Sequence, residues 1–387
     1  MEKHSLSNNE EEQTNSISPF DSKDNKNGKS HASMMLNSSY LIHQLGRDLS
    51  INCLLRLSRS DYSSISALNK SFRSLIREGE LYQLRRKMGI IEHWIYFSCE
   101  SPEWEAFDPN RGQWMHLPTM NCGESFNLSD KNSLAVGTEL LVFGKEVITP
   151  IIYKYSLLTN MWSVGNKMNT YRCHFGYASL GEIAILAGGR DPFDNILSSA
   201  ELYNSDTGKW EILPNMNKPR EMCSCVFMDE KFYVLGGFAA DKITQLTCGE
   251  EFDMKTKKWR EIPNMFPIQN ETVETQIYFG PPPLIAVVKN VLYAADYAKH
   301  EVKRYVKDNN SWVTIGRLPD QATSMNGWGL AFQACGDQLL VLKGPIFEVG
   351  GMMEINAWVP DEGAPQWNRL ARKQIASFLQ NCTVMGC

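Results

Sequence analysis

Three arginines in the middle of the chain have the side-chain chemistry for binding an acidic ligand. Arg172 and Arg220 each lie ten residues after a tryptophan, and Arg190 directly follows two glycines. Guanidinium groups arranged in a ring bind carboxylate or phosphate oxygens bidentately, so these three residues are candidates for binding an acidic or phosphorylated target segment. The alternative is a local ion pair with an acid such as Glu182 or Glu221 that joins neighbouring structural units.

The sequence contains no residue pattern of a catalytic or metal site. Its seven histidines are scattered, and its ten cysteines include no pair separated by two residues. It has no G-x-S-x-G motif, no P-loop and no dinucleotide-binding glycine motif. We therefore expect no cofactor, no metal and no enzymatic activity, and we interpret the cysteines as buried free thiols in a reducing compartment.

The composition argues against several classes of partner. The 387-residue chain has a net charge of −5, which provides no general attraction to nucleic acid or to an anionic membrane. No apolar run approaches the roughly 20 residues of a membrane-spanning helix. Because the first residues are polar and acidic, we expect no secretory signal and a location in the nucleus, the cytoplasm or both.

Helical patterns occupy residues 40–89, after a tail of residues 1–39 whose polar composition predicts disorder. Leucines recur near helical spacing, and the pair Ser60-Asp61 is the predicted N-cap of a second helix with an apolar face over 62–76. A third helix is predicted over 80–88, with a cationic last turn that faces water. Three short helices bury little apolar surface, so this module is expected to need a partner.

The rest of the chain, residues 90–387, is predicted to be a repeat of short β-strands. Tryptophans recur at intervals of 48 to 55 residues, and the first five each follow an aromatic residue by seven positions. The six are Trp114, Trp162, Trp210, Trp259, Trp312 and Trp367. Each period contains four short strands. Strands this short bury both faces only when neighbouring sheets stack around an axis, which predicts a propeller.

Counting strands predicts six blades. The segment 93–120 lacks a first strand, whereas 377–387 supplies an unpaired strand after the last of these tryptophans. Pairing the two segments completes the ring and removes exposed sheet edges. The predicted fold class is therefore an all-β six-bladed propeller preceded by a small all-α module and a disordered tail. An enzymatic propeller, the remaining alternative, requires a bound metal or a polar cluster on the central axis.

The repeats resemble the kelch family, whose blades carry two glycines followed by a spaced Tyr and Trp. The glycine pairs here are Gly188-Gly189 and Gly236-Gly237. Residues 41–77 resemble an F-box, with two departures: Gly46 stands where proline usually follows the first leucine, and phenylalanine replaces the late tryptophan. The residues that carry this resemblance are Leu45, Asp48, Leu49, Leu54, Leu57, Asp61, Leu68, Phe72, Arg73 and Leu75. Together the two halves resemble the plant F-box/kelch-repeat proteins.

This resemblance implies a substrate receptor of a Skp–cullin–F-box ubiquitin ligase. The F-box would dock on the Skp adaptor of the cullin ligase core, and the propeller would hold a target protein near the ubiquitin-conjugating enzyme. The residues implied in adaptor binding are Leu45, Leu49, Leu54, Leu57, Leu68 and Phe72. The first four of these also have a second interpretation, as the core of the module itself.

Target specificity is expected in the loops that differ most between repeats, 190–198, 238–248 and 266–283. The alternative function is a kelch-repeat scaffold that assembles partners without any role in ubiquitin transfer. The two functions differ in whether the helical module binds the adaptor.

Overall fold

The computed structural model describes residues 41–42, 45–99, 102–266, 281–320, 329–345, 350–360, 363–376 and 379–387. The tail that the sequence predicts to be disordered lies outside these residues, as does most of the loop 266–283. Within the described ranges, no helix is both long and apolar enough to cross a membrane. Residues 54–387 form one compact unit.

Among the described residues, four α-helices and a short 3-10 helix precede the strands. Their bounds are Arg47–Leu55 (α1), Arg59–Asp61 (3-10), Tyr62–Leu68 (α2), Lys70–Arg77 (α3) and Glu80–Lys87 (α4). The sequence predicts one helix over the region of α2 and α3, but the chain is extended at Asn69. The Asn69 side chain accepts a hydrogen bond from the Phe72 amide at 2.8 Å and caps α3. The predicted cap Asp61 makes no such side-chain bond.

The described residues after position 92 contain 24 strands in six four-stranded sheets. Blades 1 to 3 contain β1 His93–Ser98, β2 Glu105–Asp108, β3 Gln113–His116, β4 Asn132–Val136, β5 Glu139–Glu146, β6 Thr149–Ser156, β7 Met161–Val164, β8 Gly176–Leu180, β9 Ile183–Ala187, β10 Ala200–Asn204 and β11 Lys209–Leu213. Blades 4 to 6 and the last strand contain β12 Ser224–Met228, β13 Lys231–Leu235, β14 Gly249–Asp253, β15 Lys258–Ile262, β16 Ile285–Val288, β17 Val291–Asp296, β18 Glu301–Val306, β19 Ser311–Arg317, β20 Leu330–Cys335, β21 Gln338–Lys343, β22 Gly351–Trp358, β23 Asn368–Ile375 and β24 Asn381–Gly386. A short helix, Glu124–Asn127 (α5), connects blades 1 and 2, and a 3-10 turn, Lys307–Asn309, lies in blade 5.

The innermost strands of the six sheets form a closed ring. In order, β24 contacts β4, which contacts β8, and the series continues through β12, β16 and β20 back to β24. These strands line a central channel of about 1560 Å³. The predicted six-bladed propeller is therefore confirmed.

Strand β24 closes the ring, as the sequence predicts. It pairs antiparallel with β1 over six residues, from His93 opposite Gly386 to Ser98 opposite Asn381. The pairing extends one residue further, because the backbones of Glu92 and Cys387 exchange two hydrogen bonds of 3.0 and 3.1 Å. The first sheet thus takes its innermost strand from the far end of the chain.

Five of the six repeat tryptophans connect their blade to the one before it. Five of the six lie opposite their aromatic partner on the adjacent strand, with ring centroids 4.6 to 5.5 Å apart. The pairs are Phe107–Trp114, Tyr155–Trp162, Tyr203–Trp210, Phe252–Trp259 and Tyr305–Trp312. The indole N–H of five tryptophans donates to a backbone carbonyl of the preceding blade or connection. The repeat interval therefore marks a ring contact within each blade and a hydrogen bond between blades.

The glycine pairs permit close approach between successive blades. Gly188 and Gly189 follow β9 with φ angles of 66° and 93°, in the left-handed region. A Cβ at Gly188 would lie 2.2 Å from the carbonyl oxygen of Arg220, in the connection to the next blade. A side chain does not fit there. The pair at positions 236–237 has the same conformation after β13.

Replacing Trp162 with phenylalanine is expected to lower the free energy of unfolding by about 1 kcal/mol. The substitution keeps an aromatic ring against Tyr155 but removes the 2.7 Å hydrogen bond from the indole to the carbonyl of Pro118. Chemical denaturation of the purified chain measures the change. The control is Met161→Ala on the same strand, since Met161 is exposed and should alter stability by less than about 0.5 kcal/mol. Equal stability of Trp162→Phe and wild type would contradict the prediction.

Candidate functional site

The two end faces of the propeller carry different elements of the chain, helices at one end and long loops at the other. In a four-stranded antiparallel sheet, the first and third turns lie at one end and the second turn lies at the other. Helices α2 to α4 contact the first of these ends: Asp61 pairs with Arg111 in the turn after β2, and Arg86 pairs with Glu182 in the turn after β8. We call this end the helix face. The opposite end, the loop face, carries the connections 147–148, 188–199 and 236–248.

Arg59 attaches the helices to the first blade, whose innermost strand is β24. Its guanidinium donates to the Cys387 Sγ at 2.6 Å and to the Tyr96 hydroxyl at 3.1 Å, and it stacks 4.0 Å from the ring centroid of Trp94. Only 3% of Arg59 is exposed. Burial by itself lowers the arginine pKa, but Cys387 and Tyr96 outweigh this effect and raise it, so the guanidinium stays charged. The same environment, chiefly burial, raises the pKa of Tyr96 to about 12.

Arg85 and Glu92 form a second attachment. Arg85 donates to the carbonyl oxygen of Leu57 at 2.7 Å and to the Glu92 carboxylate at 2.7 Å. Glu92, just before β1, also accepts from the Ser58 hydroxyl at 3.0 Å and from the Arg59 amide at 3.1 Å. One carboxylate therefore holds α4 and the 3-10 helix to the start of the propeller.

The prediction that the cationic end of α4 faces water is wrong for two of its three residues. Arg85 is fully buried, and Arg86 forms the ion pair with Glu182, whereas Lys87 is exposed. The reason is that α4 lies against the propeller, which supplies Glu92 and Glu182 as partners. A basic last turn looks the same in the sequence whether that end of the helix faces water or packs against acidic partners.

The structure separates the six predicted adaptor-binding residues by exposure. Leu54 and Phe72 are buried, at 4% and 7% exposed. Leu49, Leu57 and Leu68 are 59%, 39% and 73% exposed. Leu45 is partly exposed. Two of the six thus contribute to the hydrophobic interior, and three present large apolar side chains to solvent. Adaptor binding by the six stays a prediction.

Arg172 and Arg220 occupy equivalent positions, as their spacing predicts. Each donates to a carbonyl of the glycine pair that follows in its own blade, Gly188 and Gly236, at 3.0 Å. Each also forms an ion pair with a glutamate of the third strand, and both side chains of each pair are 0% exposed. The partners are Glu201, at 3.0 Å, and Glu250, at 2.8 Å.

This burial corrects the prediction that Arg172 and Arg220 capture an acidic target. The guanidinium groups are already bonded to carboxylates and carbonyls, and neither reaches the surface. The alternative, local ion pairing, describes them, although the partners are not the acids named from the sequence. The glutamates in turn accept from backbone amides, of Thr170 in one blade and Asn217 in the next. The motif therefore fixes the connection that enters each blade.

Arg190 forms the inter-blade ion pair that the sequence offers as the alternative. Its guanidinium binds Glu221 with two bonds of 2.7 and 2.8 Å, and it also binds Asp194 at 2.7 Å. Glu221 belongs to the connection entering blade 4, whereas Arg190 follows β9 of blade 3. Arg190 lies at the loop face but is committed to these two carboxylates.

The described residues show no arrangement suited to holding a metal ion. They contain no group of three or more His, Cys, Asp or Glu side chains that could hold a metal ion. All ten cysteines are free, and five of them are buried. Burial raises the pKa of Cys99 and of Cys335 to about 12, which keeps both thiols protonated.

Comparisons with known proteins agree with this geometry. The F-box domain model matches residues 42–84, and the Kelch motif model matches residues 171–217 and 219–266. F-box/kelch-repeat protein At1g26930 of Arabidopsis thaliana is 54% identical over 90% of this chain and 84% of its own length. The chain belongs to the F-box/kelch-repeat family. F-box/kelch-repeat protein SKIP11 of the same plant is 53% identical, over 90% of this chain and 75% of its own length.

In this F-box/kelch-repeat protein, the two Kelch motif matches coincide with blades 3 and 4. These are the blades that carry the glycine pairs and the buried arginine–glutamate motif. The other four blades keep the strand order, and blade 5, for example, has Ala294 and Ala295 within β17 in place of a glycine pair.

Sequence reasoning missed Arg59 and Glu92, which attach the F-box helices to the kelch propeller. The two residues are 33 positions apart, and Arg59 is 328 positions from Cys387, so no local periodicity links them. The one available signal is an unusual one, an arginine in the first turn of a helical segment, where acidic residues are favoured.

Replacing Arg85 with methionine is expected to lower the free energy of unfolding by about 3 kcal/mol. The change keeps the length of the side chain but leaves Glu92 and the carbonyl of Leu57 without their donor. Denaturation curves and limited proteolysis of the F-box helices measure the effect. Lys87→Met is the matched control, because Lys87 is exposed on the same helix and should change stability little. Identical behaviour of the two variants would rule out a role for Arg85 in attachment.

Proposed function

We propose that this chain is the substrate-recognition subunit of a Skp–cullin–F-box ubiquitin ligase. The observation that carries the proposal is the division of faces: F-box helices α2 to α4 lie on one end of the propeller, and the longest described loops lie on the other. A receptor that bridges two proteins needs two such separate surfaces. The F-box and Kelch motif matches support the same assignment.

The mechanism is proximity. The F-box binds the Skp adaptor, the adaptor joins the cullin core, and the propeller holds the target so that its lysines meet the charged ubiquitin-conjugating enzyme. Holding two reactants together replaces a bimolecular encounter with an effectively intramolecular one, which accounts for large rate increases. The bonds are made and broken in trans, so this chain supplies binding and orientation.

The arginine attachments support the positioning part of this mechanism. Arg59, Arg85 and Glu92 are bonded to both the helical segment and the first blade. Such bonds leave α2 to α4 little freedom to tilt on the propeller. A target bound at the loop face is then held in a defined orientation relative to the F-box helices.

In this proposal the adaptor contacts the leucines with solvent exposure, Leu45, Leu49, Leu57 and Leu68. The two buried residues, Leu54 and Phe72, preserve the shape of the helices that present them. Large contiguous apolar patches on a protein surface mark interaction sites, whereas single exposed leucines are common.

The test is a pull-down with purified Skp adaptor and the full chain. We expect wild type to bind and the Leu45→Asp/Leu49→Asp variant to lose binding at least about 100-fold, because each carboxylate would be buried unpaired at the interface. Ile212→Asp, at an exposed residue on the outer strand of blade 3, is the control and should bind like wild type. Circular dichroism checks that all three chains fold.

Failure of the folded wild-type chain to bind the adaptor would exclude the ligase-receptor function. The alternative would then hold: a kelch-repeat scaffold without a role in ubiquitin transfer. The two departures from the F-box pattern, Gly46 and Phe72, favour testing this alternative directly.

A further inference from the structure

Five large apolar side chains project from the loop face, across blades 2 to 4. Each is 80% to 89% exposed, which is well above the other exposed apolar residues of the described propeller. They are Leu128, Val147, Ile148, Phe193 and Ile243, which together we call the apolar rim. Large exposed side chains concentrated on one end of a monomer mark a site of protein–protein interaction.

Phe193 and Ile243 are presented by the same device on adjacent blades. The amide of Phe193 donates to the Asp191 carboxylate at 2.9 Å, and the amide of Ile243 donates to the Asp241 carboxylate at 3.0 Å. Each aspartate accepts a further backbone bond from its own loop, from Asn195 and Thr244 respectively. These turns hold both apolar side chains outward before any partner arrives, which reduces the ordering cost of binding.

The charged side chains of these loops are used within the protein. Arg190 binds Glu221 and Asp194, and Lys242 of the neighbouring loop also binds Asp194. This chain of ion pairs joins the two loops and places their tips side by side. The cations of the two loops, Arg190 and Lys242, are thereby paired with carboxylates. The apolar side chains of Phe193 and Ile243, in contrast, are 85% and 83% exposed.

The blade 2 part of the rim is fixed in a similar manner. The amide of Val147 donates to the Ser125 hydroxyl at 3.0 Å, which ties the β5–β6 turn to helix α5. The Lys145 amide donates to the Ser129 hydroxyl at 3.3 Å, next to Leu128. Leu128, Val147 and Ile148 are therefore carried by two mutually bonded segments.

We infer that the apolar rim binds an unmodified, apolar segment of the target protein, with aliphatic or aromatic side chains that contact Phe193 and Ile243. This inference rests on the proposed function, because it names the class of target that the receptor takes. The local neutralisation of charge, combined with rigid display of apolar tips, favours this occupant over an acidic or phosphorylated segment.

The experiment uses a displayed library of random short peptides, selected on the purified full chain. The counter-selection is made on the variant Phe193→Ser/Ile243→Ser. The control is Met161→Ser/Ile212→Ser, which removes two exposed apolar side chains from the outer strands of blades 2 and 3. Neither variant changes the net charge. Fluorescence polarisation then measures the affinity of synthetic forms of the enriched peptides for all three chains at low and high salt.

We expect the enriched peptides to be rich in apolar residues and to bind the rim variant at least about tenfold more weakly than wild type and the control. Their affinity should change little with salt, since screening acts on charged contacts. The inference is overturned if the enriched peptides are acidic, if a phosphate is needed, if the rim variant binds them as wild type does, or if no peptide is enriched.

Adaptor binding is measured on the same preparations. The rim variant should bind the Skp adaptor like wild type, because the rim and α2 to α4 lie at opposite ends of the propeller. If the wild-type chain binds the peptides but does not bind the adaptor, the ligase function is excluded and the rim is the recognition site of a scaffold. If the wild-type chain binds the adaptor but binds no peptide, only the inference about the target is excluded.

Discussion

Everything in the propeller depends on the pairing of β24 with β1. Without that pairing, the first sheet lacks its innermost strand, the contacts of β24 with β4 and β20 disappear, and the ring opens. An open ring would expose two sheet edges and the apolar surfaces between blades. In an open ring, the two end faces would also no longer be held in a fixed position relative to each other. Six backbone-paired residues therefore determine whether the propeller has a helix face and a loop face at all.

The F-box helices are attached to the propeller next to the pairing of β24 with β1. Arg59 bonds Tyr96 on β1 and Cys387 just after β24, and Glu92 binds Arg85 next to them. Burying arginines is costly unless their charge and donors are paired. Here carbonyls, hydroxyls, a thiol, a carboxylate and an aromatic face contact the guanidinium groups of Arg59 and Arg85. Such polar contacts are directional, whereas a purely apolar contact would allow sliding. The orientation of α2 to α4 on the propeller is specified by these bonds.

The sequence was informative where the structure repeats and uninformative where single contacts decide. The tryptophan spacing predicted the blades, because five of the six tryptophans make the same ring contact in their blades, and counting strands predicted the number of blades and the closing strand. The spacing of Arg172 and Arg220 predicted their equivalence but not their burial. That depended on Glu201 and Glu250 facing them from a strand about 30 residues away. Likewise, one hydrogen bond at Asn69 divided a helix that the apolar pattern shows as continuous.

The bond between Arg59 and Cys387 links two points that the ribosome produces far apart in time. Arg59 is synthesised early, yet the thiol that receives its guanidinium emerges 328 residues later. Domains generally begin to fold as their N-terminal parts appear. In this chain, however, the helices can make all of their contacts with the propeller only after the final blade has been made. A nascent or prematurely stopped polypeptide would therefore carry F-box helices with no fixed orientation relative to the blades.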